Sequence, residues 1–223
     1  MPVKAQEKRL TRQEVIRLER DLAKFANMMD SVVRIPFTRQ GVGADAALSA
    51  IPVAGDAAML DEVKAHLQKT MINDAGMLMA FARSVELFDG HSRGFFSQLL
   101  SRGQNEKMDI KKMGVFPVVH GVRALGLEAR IEETNTFERI QKLMQARVLD
   151  EQLGKDTAEA LSYLMDLRLK AGFAALSNEI PEEANQIDLQ SLSTLERDLL
   201  KDALQVVKRF KQMIHNHFHL GVR

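Results

Sequence analysis

Two adjacent lysines near the middle of the chain, Lys111 and Lys112, come shortly before Pro117, and Asp109 stands just ahead of them. Because proline suits the first turn of a helix, a helix is predicted to open at Pro117. Lysines beside the N–H groups of a helix N-terminus are ordinary ligands for phosphate. Lys111 and Lys112 therefore predict a site for an anionic ligand. In the alternative interpretation, Asp109 pairs with a buried arginine and the lysines are partly solvated.

A second group of basic residues falls mostly on helix faces that are otherwise apolar: Arg123, Arg139, Arg168, Arg197 and Lys201. A buried charge without a partner is costly, so each must be paired or must line a cavity. In one hypothesis, an interhelical network of ion pairs fixes the bundle, and its members are Asp109, Asp166, Arg168, Glu196, Arg197 and Lys201. In the other, a cleft binds an anionic substrate, with Arg123 or Arg139 facing the same space as Lys111 and Lys112.

The composition of the 223-residue chain limits which sites are possible. Apolar residues make up 45% of it, which is enough for a core, and the net charge of +1 lacks the basic excess of a general nucleic-acid binder. There is no cysteine, which excludes disulfides, thiolate metal sites and cysteine nucleophiles. The polar N-terminus has no signal-peptide core, and Asp45, Pro52 and Asp56 interrupt the most apolar window, residues 41–60. We expect a cytoplasmic protein with no membrane span and no bound cofactor.

Helical spacing dominates the chain, and glycine and proline are sparse. Thr11 and Glu14 form a capping-box pattern ahead of an amphipathic helix that ends at Ile35, since the residue before proline avoids helical geometry. Further helices are predicted at 57–70, 73–88, 93–102, from Pro117, at 135–146, at 156–177 and from Ser193 to the region of Ile214. No segment predicts a strand, and 103–107 and 178–190 are interpreted as loops. The fold predicted is an all-α antiparallel helical bundle.

Five segments, in this order and spacing, resemble the nucleotidyltransferase substrate-binding domain, a helical family. They are Met108-Asp-Ile-Lys-Lys-Met-Gly114, Val115-Phe-Pro-Val-Val-His-Gly-Val-Arg-Ala-Leu125, Thr134-Asn-Thr-Phe-Glu-Arg139, Asp166-Leu-Arg168 and Ser193-Thr-Leu-Glu-Arg-Asp-Leu-Leu-Lys201. The resemblance runs from about Met59 to about Phe210. In bacterial proteins that also carry CBS or cyclic-nucleotide-binding modules, this domain follows a nucleotidyltransferase domain. The resemblance therefore implies substrate binding or regulation in signal transduction.

The catalytic elements of a nucleotidyltransferase are missing from the sequence. That reaction needs carboxylates for magnesium and a glycine-serine turn that grips the triphosphate, and the superfamily supplies them as Gly-Ser followed by Asp-x-Asp on a strand. Gly55-Asp56 lacks the serine, and Asp61-Glu62 falls in a predicted helix. We expect a non-catalytic module beside a nucleotidyltransferase domain supplied in trans or lost. Its affinity for a nucleotide or phosphorylated ligand should then be weak.

Residues 1–56 are interpreted as a separate N-terminal part, an amphipathic helix with a Gly/Ala-rich connection, ahead of the helical domain at 57–223. This part resembles a fragment of a small bacterial domain of unknown function, through Phe25 to Pro36 and Gly43 to Asp56. Phe37 replaces a glycine usual in that family, and the apolar hairpin that generally follows is absent. Membrane association is therefore not predicted.

Two alternative functions stay open. One is a helical interaction module that forms homo-oligomers without a ligand. The other, minor, is an enzyme: Arg209 and His215 match the loose arginine-to-histidine spacing of the HEPN helical ribonucleases. His215 and His219 share a face if the final helix continues, but a third metal ligand is not evident, so no metal site is predicted.

Overall fold

The computed structural model describes residues 57–87 and 107–221. Within them the helices are α1 (Ala57–Ile72), α2 (Ala75–Ala82), α3 (Phe116–Glu128), α4 (Thr136–Gln145), α5 (Glu151–Ser177) and α6 (Thr194–His217), and the strands are β1 (Lys107–Asp109) and β2 (Gln186–Asp188). Single turns of 3-10 helix occupy Arg83–Glu86 and Pro181–Glu183, and a π-helical turn occupies Lys111–Val115. The predicted all-α class is confirmed. The helices predicted at 11–35 and 93–102, and the whole of 1–56, lie outside the described residues.

Side-chain caps set where several helices begin. Asn135 accepts the N–H of Phe137 at 2.8 Å to cap α4, and Ser193 and Glu196 form a capping box at the predicted start of α6. α5 begins at Glu151 rather than at 156, because the Asp150 carboxylate accepts the N–H of Leu153 at 2.9 Å. The sequence did not predict that α5 begins at Glu151, because the first turn of this helix is polar and contains Gly154.

The core is built around α3, whose residues are buried on nearly all sides by α2, α4 and α6. α5 and α6 form the longest packed pair. They run antiparallel, because Asp156 near the start of α5 meets Arg209 late in α6, while Tyr163 further along meets Glu196 in the first turn of α6. In the described part of the chain, no helix combines the length and the apolarity that a membrane crossing needs.

The expectation of no strands is wrong in one place. β1 and β2 pair antiparallel, with Met108 opposite Ile187, and both of these side chains are buried. Each strand has only three residues, too few to show an alternating pattern, and its partner is far away in the sequence. The pairing closes the connection between α5 and α6 onto the turn before α3.

Candidate functional site

A cleft of about 500 Å³ lies between α1, α3 and the start of α4. The cleft is lined by Asp61, Lys64, Ala65 and Gln68 from α1, by Arg123 and Leu127 from α3, by Ile131 and Glu132 from the segment between α3 and α4, and by Arg139 from α4. The cleft therefore brings together Arg123 and Arg139, the two arginines that the sequence predicts as substrate-binding residues.

Arg139 is held firmly by the fold around it. It stands in the first turn of α4, which Asn135 caps, and it is 4% exposed. Its stem lies over Gly126 of α3, since a Cβ built on Gly126 would lie 3.6 Å from Arg139 Cδ. A rigidly placed guanidinium loses less conformational entropy when it binds an anion than a solvated one does.

Arg123 approaches the cleft from α3 and is partly exposed. Leu127 follows it one turn later on the same face, so an apolar surface lies next to the charged group. Because Arg123 and Arg139 come from different helices, their relative position depends on how α3 packs against α4. Two guanidiniums arranged in this way are suited to phosphate or carboxylate oxygens.

The cleft also carries two carboxylates, Asp61 and Glu132, beside the three cations Lys64, Arg123 and Arg139. Carboxylates accept hydrogen bonds from hydroxyl or amino groups of a ligand and repel a second anionic group. The site is therefore chemically mixed rather than uniformly basic. Such a lining suits a ligand with one anionic group and several hydrogen-bond donors.

The structure places Lys111 and Lys112 away from this cleft. Counted along the helical stretch, Lys112 and Arg123 are separated by roughly 16 Å at 1.5 Å per residue. The N–H of Phe116 donates to the Lys111 carbonyl, so the helical stretch starts before Pro117 rather than at it. At that start, Asp109 accepts the N–H of Lys112 at 3.0 Å and pairs with its Nζ at 3.2 Å. A carboxylate of the chain itself thus occupies the position expected for a bound anion.

Asp109 pairs with Lys112 rather than with a buried arginine, so that part of the alternative interpretation is corrected. The exposed Lys111 does agree with the alternative in being solvated. Binding of a ligand by either lysine stays a prediction.

The six residues expected to form one ion-pair network make separate contacts instead. Arg168 donates to the Asn185 side chain at 2.8 Å, and Arg197 reaches the Gln190 carbonyl at 3.4 Å. Glu196 is engaged by Ser193 of its own capping box and by Lys170 at 3.6 Å. Among the described residues, Asp166 and Lys201 form no ion pair with the other four. The interhelical ion pair among these contacts, Lys170 with Glu196, includes a residue outside the predicted six.

Two polar residues that the sequence analysis did not single out join the helices. Tyr163 donates its hydroxyl to the Glu196 carbonyl at 2.8 Å and links α5 to α6. Burial, together with the charge of Glu196, raises the pKa of Tyr163. His120 is 2% exposed, and its Nε2 lies 2.8 Å from the Phe81 carbonyl of α2. Tyr163 could have been singled out from the sequence, because it is the one tyrosine of the chain. No sequence pattern indicated that His120 would be buried.

The groups proposed for a HEPN-like site do not converge. Arg209 pairs with Asp156 of α5 at 3.2 Å, whereas His215 lies 3.6 Å from Glu86, in the turn after α2. His217 contacts Glu128 at the end of α3 at 2.5 Å. Each side chain is directed to a different element. In the described residues, no group of three or more histidines and carboxylates lies close enough to hold a metal ion.

Comparison with known protein families gives a match. A family model described as "Putative nucleotidyltransferase substrate binding domain" matches residues 75–218, well over half of the chain. It includes α2 to α6 and therefore Arg123, Glu132 and Arg139, but not the α1 wall of the cleft. No curated protein and no solved structure matches the chain.

Proposed function

The chain belongs to this family of nucleotidyltransferase substrate-binding domains, and from that premise we propose that it holds a phosphorylated ligand in the cleft between α1, α3 and α4. In this proposal the bundle binds, and a nucleotidyltransferase domain acting in trans performs the transfer. The chain itself is then a non-catalytic or regulatory module.

The observation that carries the proposal is the convergence of Arg123 and Arg139 on one cleft, with Arg139 nearly inaccessible apart from that space. Burying a guanidinium is costly, and residues that serve only solubility stay exposed. With a fixed arginine beside a second, more accessible one, two guanidinium groups can donate hydrogen bonds to the oxygens of the same phosphate.

The carboxylates narrow the class of ligand. The charged side chains in the cleft sum to one net positive charge, which disfavours a triphosphate or a nucleic-acid strand. A monophosphate with hydroxyl or amino donors fits better, since Asp61 and Glu132 accept hydrogen bonds from such groups. Both a nucleoside monophosphate and a phosphorylated small acceptor meet this description.

Calorimetric or NMR titration with nucleoside monophosphates, and with the matching unphosphorylated nucleosides, tests the proposal. Arg123→Gln should weaken monophosphate binding about tenfold or more, because a charge-assisted hydrogen bond contributes roughly 1.5–3 kcal/mol. Arg209→Gln, an arginine outside the cleft, is the matched control and should bind as the wild type does. The Lys111→Ala, Lys112→Ala double variant examines the other predicted site. If this variant loses binding and Arg123→Gln does not, the cleft assignment fails.

A ligand-free interaction module is the second candidate function, and the exposed apolar face of α5 favours it. The two candidates differ in what raises the melting temperature. A ligand that binds the folded state raises it by mass action, whereas self-association makes it depend on protein concentration. Melting curves recorded over a range of ligand concentrations and over a range of protein concentrations distinguish the two functions.

A further inference from the structure

α5 is apolar on two sides, and the described structure covers only one of them. Leu161, Leu164 and Leu167 are buried against the core. Met165, Leu169, Phe173 and Leu176 follow one another at steps of four, four and three residues, so they form a stripe on another side of the helix. We call these four residues the α5 stripe.

The α5 stripe is strongly exposed for residues of this kind. Leu169 is 59%, Phe173 62% and Leu176 74% exposed. Contiguous exposed apolar patches mark binding surfaces. Asp166 and Lys170, both exposed, lie beside the stripe, giving it the polar rim expected of an interface. Something is therefore expected to cover this face.

We propose that the α5 stripe is the docking surface for the amphipathic N-terminal segment of the same chain, residues 11–35. This segment lies outside the described residues, and its sequence predicts a helix whose apolar positions share one face: Val15, Leu18, Leu22, Phe25, Met29 and Val32. Such a helix needs an apolar partner, because most helical stability in proteins comes from packing of that face.

Dimensions agree with this assignment. The stripe from Met165 to Leu176 is roughly 16 Å long and the apolar face from Val15 to Val32 roughly 26 Å, at 1.5 Å per residue. Residues 36–56 then connect the segment to α1. A random-coil chain of that length would span about 25 Å on average, compared with a radius of gyration of roughly 15 Å for a domain of this size.

Tethering favours the segment over other occupants. The covalent connection through residues 36–56 keeps the segment close to the bundle, at an effective concentration of roughly millimolar. If two copies packed stripe to stripe, the apolar face of residues 11–35 would still lack a partner. Docking in the same chain satisfies both faces at once, and it is independent of whether the cleft binds a ligand.

Tryptophan fluorescence of the full-length chain tests the proposal, because the chain has no native tryptophan. Phe173→Trp places a single reporter in the stripe. Adding Leu22→Asp should shift its emission to longer wavelength and increase quenching by iodide, since the indole becomes exposed. Arg20→Asp, two residues away on the polar side of the predicted helix, is the matched control and should change neither. Equal emission and equal quenching in all three proteins would overturn the proposal.

Disulfide trapping distinguishes docking within one chain from docking between two copies. Because the chain has no native cysteine, only the introduced cysteines can form a crosslink. Under mild oxidation, Leu22→Cys with Leu169→Cys should form a crosslink that migrates as a monomer. Arg20→Cys with Leu169→Cys should not crosslink. A Leu22–Leu169 crosslink at dimer mass, or an efficient crosslink between two chains that carry only Leu169→Cys, would assign the stripe to a second copy and overturn the proposal. Circular dichroism of each variant verifies that the bundle is intact.

Discussion

Gly121 of α3 faces the ring of Phe210 in α6 with no space for a methyl group between them. A Cβ built on Gly121 would lie 2.6 Å from Phe210 Cε1 and 3.1 Å from Ile214 Cγ1. Phe210 and Ile214 are fully buried, so neither side chain can move aside easily. The absence of a side chain at Gly121 therefore sets how closely the two central helices approach.

Gly121→Ala should lower the free energy of unfolding by about 1–3 kcal/mol, the usual cost of overpacking a core. Gly172→Ala in α5 is the matched control, since a Cβ there would lie 3.9 Å from the nearest atom, the Ala184 carbonyl oxygen. It should be neutral or stabilising by up to about 1 kcal/mol, because alanine is the better helix former. Urea denaturation of the two variants and the wild type measures both changes in the free energy of unfolding. Equal stability of Gly121→Ala and wild type would mean that α3 and α6 are less closely packed.

Tyr163 should ionise above its ordinary range near pH 10, because burial and the charge of Glu196 raise its pKa. The folded state then holds the phenol proton more tightly than the unfolded state does. The stability that results is present below the unfolded pKa and is lost as the pH rises through the folded pKa. Absorbance titration reports this group alone, since the chain has one tyrosine. A midpoint equal to that of the chain in denaturant would contradict the burial of the hydroxyl.

Glu196 should stabilise the protein at neutral pH and not in acid. The hydrogen bond from the Ser193 N–H, then that from its hydroxyl, lowers the pKa of Glu196, with a further contribution from Lys170. A carboxylate with a lowered folded pKa contributes stability above its unfolded pKa and loses it as the pH falls through the folded value. The difference in stability between wild type and Glu196→Gln should therefore shrink below about pH 4.

Replacing the cap residue itself tests the same turn at neutral pH. Ser193→Ala should cost about 1 kcal/mol in the free energy of unfolding, because the N–H of Glu196 loses the hydroxyl that accepts it at 3.2 Å. Ser193→Gly should recover most of that loss, since glycine is tolerated at this position. Chemical denaturation at pH 7 measures the free energy of unfolding of both variants. If Ser193→Ala were as stable as the wild type, the capping box would contribute little.

Arg168 should be energetically coupled to Asn185 and not to Asp166. The Arg168 Nε donates to the Asn185 side chain at 2.8 Å, which ties α5 to the residue before β2. A double-mutant cycle of Arg168→Met and Asn185→Ala should give about 1.5–3 kcal/mol of coupling, the range of hydrogen bonds to charged groups. The cycle with Asp166→Ala is the control. Coupling only in the control would restore the ion-pair network predicted from sequence.

Arg139→Lys should separate charge from geometry in the cleft. Lysine keeps the positive charge but cannot offer the planar pair of donors that arginine presents to phosphate. Monophosphate affinity should fall although the net charge of the cleft is unchanged, and the remaining binding should weaken as salt is added. Calorimetry at two ionic strengths measures both effects. Unchanged affinity would mean that Arg139 contributes charge alone.

Local signals in the sequence determined most of the helical architecture. Asn135, Ser193 and Glu196 supply their caps to nearby N–H groups, so the starts of α4 and α6 were predictable from a few residues. Apolar spacing likewise predicted the all-α class. These features depend on contacts within about one helical turn, which the order of residues specifies directly.

Tertiary structure decided the rest, because it depends on contacts between residues far apart in sequence. β1 and β2 exist only as a pair, and each is too short to be recognised alone. Arg123 and Arg139 share a cleft because α3 packs against α4, whereas Lys112 pairs with Asp109 at a π-helical turn that residue spacing does not reveal. The charged residues could be identified from the sequence, but the packing of the helices determines which of them lie close together.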